Sequence, residues 1–369
     1  MIGEYFGGEV ENMGNIKKRY VLWNNKGGVG KSTLTFHLGS EYAAKHPDEK
    51  VLILDLCPQA NATMTYFGGG TQGESTLLKI QTDDKPRTIV GFFSDQLSNL
   101  GATRPAESLN VKQFVHKVSE INHSLPENVF IIPGDGNLEI LLSALSYYAN
   151  PQGTLTNTWR NVILWARDLC DLVAQEFDGN ITIFIDTNPS FALYTQQAIV
   201  AADRIIVPFN ADDSSRTGVG ALFGLVYGVN IPHPVYQNYT FAALASQAGL
   251  ELPKVHLLVG NRFAQFQGTA KAFAGLSSVI QENAWVQFQK NPDRFTPRDS
   301  SINTLHEFVA NYHIDLRDFN SAGVVAANQG IPLTEMRPGR FNLYGETAQV
   351  NPDQIEKCRA AIEDVVNRL

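Results

Sequence analysis

Between an apolar run, Tyr20-Val21-Leu22-Trp23, and a helical pattern that starts at Ser32 lies the segment Lys26-Gly27-Gly28-Val29-Gly30-Lys31-Ser32-Thr33. No other stretch of the 369 residues limits the possible folds as sharply. A glycine-rich turn joining a strand to a helix start is a cradle for phosphate. Successive backbone N–H groups turn inward, and the helix N-terminus adds partial positive charge. Gly27, Gly28, Val29 and Gly30 supply that backbone. Lys31 reaches the β- and γ-phosphates, Ser32 is placed to hold Mg²⁺, and Thr33 is placed for the α-phosphate. The usual pattern has glycine where this chain has Asn25, and a second lysine, Lys26, opens the loop.

Strand-like apolar runs alternate with helical patterns along the chain. The runs include Val51-Leu52-Ile53-Leu54-Asp55, Asn128-Val129-Phe130-Ile131-Ile132-Pro133 and Ile181-Thr182-Ile183-Phe184-Ile185-Asp186; helical spacing covers 138–149 and 159–177. The alternation predicts an α/β fold with a central, mostly parallel sheet and helices on both faces. The length suits one large domain. The expected organisation is a loose arm over 1–16 and a single domain over 17–369, with elaborations near 68–125, 230–253 and 265–315. Gly68-Gly69-Gly70 and the polar stretch to Asp84 read as a mobile loop. Residues 111–121 have helical spacing. Lys17-Lys18-Arg19 reads as a solvated strand edge, with nucleic-acid contact as the sharper alternative. Residues 353–369 carry the stripe Ile355, Cys358, Ile362, Val365, Val366 and Leu369 on one helix face, while the other face mixes both charges. Such a helix docks on a core; a membrane-targeting helix would be more basic.

The net charge of −8 does not favour a general polyanion binder, although a local basic patch is compatible with it. The basic side chains offered for such a patch are Lys271, Lys290, Arg294 and Arg298. Three widely spaced cysteines form neither a disulfide framework nor a metal pattern. No apolar run approaches a membrane span, and the expected location is the cytoplasm, with no membrane partner.

The loop resembles the deviant Walker A motif of the ParA/MinD family of ATPases, and other segments resemble that family in the same order. Asp55-Leu56-Cys57-Pro58-Gln59-Ala60-Asn61 is similar to its D-x-D-P-Q-x-N switch, and Asp186-Thr187-Asn188-Pro189 to its Walker B segment. Val255 to Arg262 is similar to the strand whose Asn-Arg end meets adenine. The match runs from about Arg19 to Arg262 and lies closest to the ParA branch. The tail, Gly330-Ile331-Pro332 included, matches loosely.

The resemblance implies a P-loop ATPase that takes ATP and Mg²⁺ and forms a homodimer in ATP, with an adaptor protein as partner and DNA as a possible one. Its function would be a dimerisation switch for partitioning or positioning DNA or another cargo. It implies that Lys26 reaches the nucleotide of the partner subunit, as an arginine finger does. Lys31 and Ser32 hold phosphates and metal, Asp186 binds Mg²⁺ through water, and Asp55 supports the metal site from behind. Asn188 senses the γ-phosphate, Asn261 pairs with adenine, Arg262 flanks it, and Pro332 packs near it. Cys57 departs from the pattern, because the family has there the carboxylate that positions the attacking water. A thiol is a poor substitute, which predicts slow hydrolysis unless Asp55 takes over that role. The alternative is a weakly hydrolysing, ATP-sensing regulatory module that binds a protein rather than DNA. Cys170 and Cys358 exclude the cluster-bearing nitrogenase iron protein branch, whose paired cysteines they do not match.

Overall fold

A computed structural model describes residues 14–99, 110–149, 157–210, 213–231, 233–261, 270–316 and 319–369. Strands β1 (Asn15–Leu22), β2 (Lys50–Leu56), β3 (His116–Lys117), β4 (Val129–Ile132), β5 (Asn180–Thr187), β6 (Arg204–Asn210), β7 (Lys254–Asn261) and β8 (His313–Leu316) form one sheet. Their order is β3-β4-β2-β5-β1-β6-β7-β8, and every pairing is parallel except β3 with β4. A separate antiparallel hairpin joins β9 (Gly339–Leu343) to β10 (Glu346–Val350).

The central strands are apolar on both faces because both faces are covered. Val21, Leu52, Leu54, Ile183 and Ile185 point into one core; Tyr20, Leu22, Val51, Ile53 and Phe184 point into the other. Helix α1 (Lys31–Lys45) leaves the glycine loop and packs into the second core, buried on nearly every side. Its cover includes the C-terminal helix Pro352–Val366, which sets Ile355, Cys358, Ile362, Val365 and Val366 into that core as its stripe predicts.

Several segments differ from the sequence expectation. β1 begins at Asn15, so the last two residues of the expected arm already pair with β5. Lys17-Lys18-Arg19 belong to a strand flanked on both sides, not to a sheet edge. Their charges are spent internally: Lys17 on Glu49, Lys18 on the Leu369 carbonyl, and Arg19 on Asp171 and Asp203. Helix α2 (Asn61–Tyr66) is followed by α3 (Gly70–Gln81), which occupies most of the expected mobile loop. The 111–121 stretch forms two 3-10 turns around β3 instead of a helix. The segment after β7, expected only as an elaboration, supplies the helices Ala270–Lys290 and Leu305–Tyr312 and the edge strand β8.

Among the described residues, no helix is long and apolar enough to cross a membrane.

Candidate functional site: a phosphate loop above two buried aspartates

β1 lies where the chain switches from winding toward β4 to winding toward β8. Open α/β sheets bind ligands in the crevice at the carboxyl ends of the strands around such a point. The glycine loop leaves β1 there. Gly28 and Gly30 adopt φ of 72° and 86°, which only glycine takes without cost. α1 has no side chain capping its start, so the N–H groups of its first turn remain available to a ligand. Lys31 lies under the loop and donates to the carbonyls of Asn24 (3.1 Å) and Lys26 (2.8 Å). Burial lowers its pKa to about 8, against the raising effect of Asp186. A buried ammonium resting on two neutral carbonyls gains from an anion brought against it.

Strand register supplies the carboxylates. Asp186 on β5 pairs with Leu22 of β1 on one side and Asp55 of β2 on the other, so the two aspartates are adjacent at the sheet edge. Both are fully buried. Asp186 accepts from Ser32 Oγ (2.6 Å) and from Thr35 Oγ1 (3.2 Å). Burial raises its pKa, and the neighbouring Asp55 raises it further. Asp55 accepts from Cys57 N (2.9 Å), Thr63 N (3.0 Å) and Thr63 Oγ1 (2.6 Å), and burial raises its pKa as well.

These bonds separate the roles assigned from sequence. Ser32, at the start of α1, and Asp186, at the end of β5, are brought together. Asp55 instead pins the switch segment to α2. Three donors are committed to its two oxygens, and it is not among the residues that line the crevice. Cys57 does line the crevice and is 3% exposed. Burial, then Asp55 and Asp186, push its thiol pKa up, so it stands there neutral.

Asn188 lines the crevice too. Its Oδ1 accepts from Ser190 N (3.0 Å), and its Nδ2 donates to Tyr194 Oη (2.8 Å), which donates on to Glu139 (2.8 Å). The turn after β5 is thus tied to the helix Leu193–Ala201. Asn261 reaches the carboxyl edge of β7, but its amide nitrogen donates to the Val29 carbonyl (3.2 Å). In this conformation it braces the loop. Gly27, Thr33 and Pro189 line the crevice, and Lys26 is half-buried at the loop's start. Arg262 lies outside the described residues. Pro332 is buried and does not line the crevice.

The crevice is a trench of about 1070 Å³. Its far wall was missed in the sequence. Phe319, Asn320, Gly323, Val324, Ala327 and Asn328, on the helix Asn320–Gln329 and its start, face α2 and the glycines before α3 across it. The signal was present in Gly68-Gly69-Gly70. All three glycines have positive φ, and a side chain at Gly69 or Gly70 would strike Asn328. Close approach of the far wall requires Gly69 and Gly70, and the left-handed backbone favours glycine at all three.

The loop, its lysine, the uncapped helix start and the Ser32–Asp186 pair fit a polyphosphate carrying a divalent cation. Asp55, Cys57 and Asp186 also bring ligand atoms within 4.8 Å of one another. With the Asp55 oxygens committed elsewhere, Ser32 and Asp186 are the better cation partners. Of the basic side chains offered as a patch, Arg298 lies 4.7 Å over Tyr312 and donates to the His256 carbonyl (2.6 Å), and Arg294 lies 5.7 Å over Tyr227. Lys290 is exposed, while the Lys271 side chain is outside the described set.

A family model described as an AAA domain matches residues 17–231. Over 209 residues the chain is 26% identical to the sporulation initiation inhibitor protein Soj of Bacillus subtilis, covering 57% of this chain and 64% of Soj. It is 26% identical over 200 residues to the chromosome partitioning protein ParA of Caulobacter vibrioides, covering 54% and 58%. The chain thus spans about three fifths of the length of these relatives. Among solved structures, apo McdA of Cyanothece superposes with a TM-score of 0.57 at 17% identity, covering 95% of this chain and all of McdA. The ATP complex of a McdA variant gives 0.55 at 17% identity, covering 95% and 96%. At such identity these two likenesses speak for the fold alone.

Proposed function

This chain belongs to the ParA family of deviant Walker A ATPases, and on that premise we propose that it is an ATP-binding and hydrolysing dimerisation switch that partitions or positions DNA or another cargo. The observation that carries the nucleotide reading is Ser32 bonded to the buried Asp186 at the base of the loop, with Lys31 beneath it. A bound Mg²⁺ would supply charge neutralisation between phosphate oxygens. Ser32 and Asp186, which bond one another at the base of the loop, would hold that cation, Asp186 through a water. Lys31 and the first-turn N–H groups hold the phosphates, and Lys26 serves a partner subunit's nucleotide.

Hydrolysis is slow in this reading because Cys57 offers no base to the attacking water. A positioned base contributes about 10²–10⁴-fold. The same neutral thiol favours the second reading, an ATP-sensing module that holds nucleotide for long periods and binds a protein partner. Filter binding to DNA at low salt in ATP separates the two, with retention expected only for the first.

Lys31→Ala tests the common premise. Calorimetry is expected to show ATP–Mg²⁺ binding in the parent and none in a folded variant. Equal affinity in the two would overturn the site.

A further inference from the structure

The trench is longer than its phosphate end requires, and one of its lining residues belongs to no part of the loop, switch or Walker B machinery. Tyr344 sits at the tip of the β9–β10 hairpin. Leu343 pairs with Glu346, which leaves Tyr344-Gly345 as a two-residue turn. Their φ values are 53° and 92°, the signs of a type I′ turn. The first place in such a turn favours asparagine, aspartate or glycine, and a bulky ring there carries backbone strain.

Core packing does not compensate for that choice, because Tyr344 is 80% exposed. The hairpin behind it is secured. Val350 is fully buried, and Phe341, Leu343 and Ala348 pack on the second core. Ser321 Oγ donates to the Gln349 carbonyl (3.0 Å), and Gln354 Nε2 to the Phe319 carbonyl (2.8 Å). The hairpin and the far wall are therefore one unit, with a free aromatic ring at the end of it. That wall presents apolar groups to the trench at Phe319, Val324 and Ala327, and Val324 is 60% exposed.

We propose that Tyr344 is the stacking platform for the nucleobase of the bound nucleotide, lying against the base while the helix Asn320–Gln329 borders it. The proposal rests on reading the trench as the nucleotide site. A flat, exposed aromatic ring held on a braced turn suits a planar π-face, and its few rotamers leave little entropy to lose on stacking.

The test uses the full chain and two variants. Tyr344→Asn removes the ring and installs a residue the turn favours, so the hairpin is retained; Tyr344→Phe keeps the ring. Calorimetry with ATP–Mg²⁺ and with inorganic tripolyphosphate–Mg²⁺, which has no base, is read for each. The expected result is about a tenfold loss of ATP affinity in Tyr344→Asn, unchanged tripolyphosphate affinity, and parent-like values in Tyr344→Phe. Unchanged ATP affinity in Tyr344→Asn would overturn the stacking role, as would a parallel loss for tripolyphosphate. A parent that binds neither ligand would overturn the nucleotide site itself, and the stacking role with it.

Discussion

Cys57 shows how one atom type reshapes a site whose frame is intact. Asp55 and Asp186 are adjacent by strand register, and Cys57 lies close to both without adding charge. An aspartate at that place would be a third carboxylate within 4.8 Å of two buried ones. Cys57→Asp is therefore expected to lower the melting temperature of the nucleotide-free protein, since uncompensated buried charge is costly, and to regain stability in ATP–Mg²⁺. If the missing base is what slows turnover, single-turnover hydrolysis rises, by up to about 10²–10⁴-fold. Rates indifferent to the substitution in a folded variant would show that another group positions the water. Asp55 is a poor candidate for that group, because its oxygens already take Cys57 N, Thr63 N and Thr63 Oγ1.

At the scale of elements, the trench exists because the helix Asn320–Gln329 closes against the glycines between α2 and α3. Gly330 ends that helix at φ 59°, and a β-carbon there would come within 2.6 Å of the Gly68 backbone. Gly330→Ala carries both a left-handed strain and a backbone collision. A loss of about 2–3 kcal/mol in urea unfolding is expected. A variant within about 0.5 kcal/mol of the parent would mean that the two segments separate at little cost. The C-terminal helix was the easier element to read: its stripe recurs at helical spacing, and the same residues are the buried ones.

For the whole molecule, two buried histidines weaken stability in acid, while the raised carboxyls of Asp55 and Asp186 act in the opposite sense over the same range. Burial depresses His37 to about 3, and burial with nearby Arg298, Arg204 and Lys18 does the same to His256. Unfolded, each titrates near 6.5. Below that value the unfolded histidines bind more protons, so their share of the stability is fully present above about pH 6.5 and is lost as pH falls toward 3. The loss is up to about 1.4 kcal/mol per pH unit for each histidine. His37→Gln is expected to remove one histidine's share of the slope between pH 6 and 4 in urea titrations; an unchanged slope would show that the unfolded state does not drive it. Assembly is the second property at this scale. Lys26→Ala is expected to bind ATP yet stay monomeric by light scattering. A variant dimer in ATP as tight as the parent's would remove Lys26 from the interface.

The glycine loop, the strands ending in Asp55 and Asp186, the alternation that makes a parallel sheet and the docked last helix were all legible in the sequence. Each depends on neighbours a few residues apart: a turn geometry, a two-residue or 3.6-residue period, a cap. The order of the strands, which places Asp55 beside Asp186, depends on pairings across more than a hundred residues and carries no local signal. The same holds for Lys17, Lys18 and Arg19, whose charges looked free until Glu49, Leu369, Asp171 and Asp203 arrived beside them. The far wall of the trench and Tyr344 above all were decided by tertiary structure. A weakly patterned helix and a hairpin tip gain meaning only when packing brings them to a loop some three hundred residues earlier.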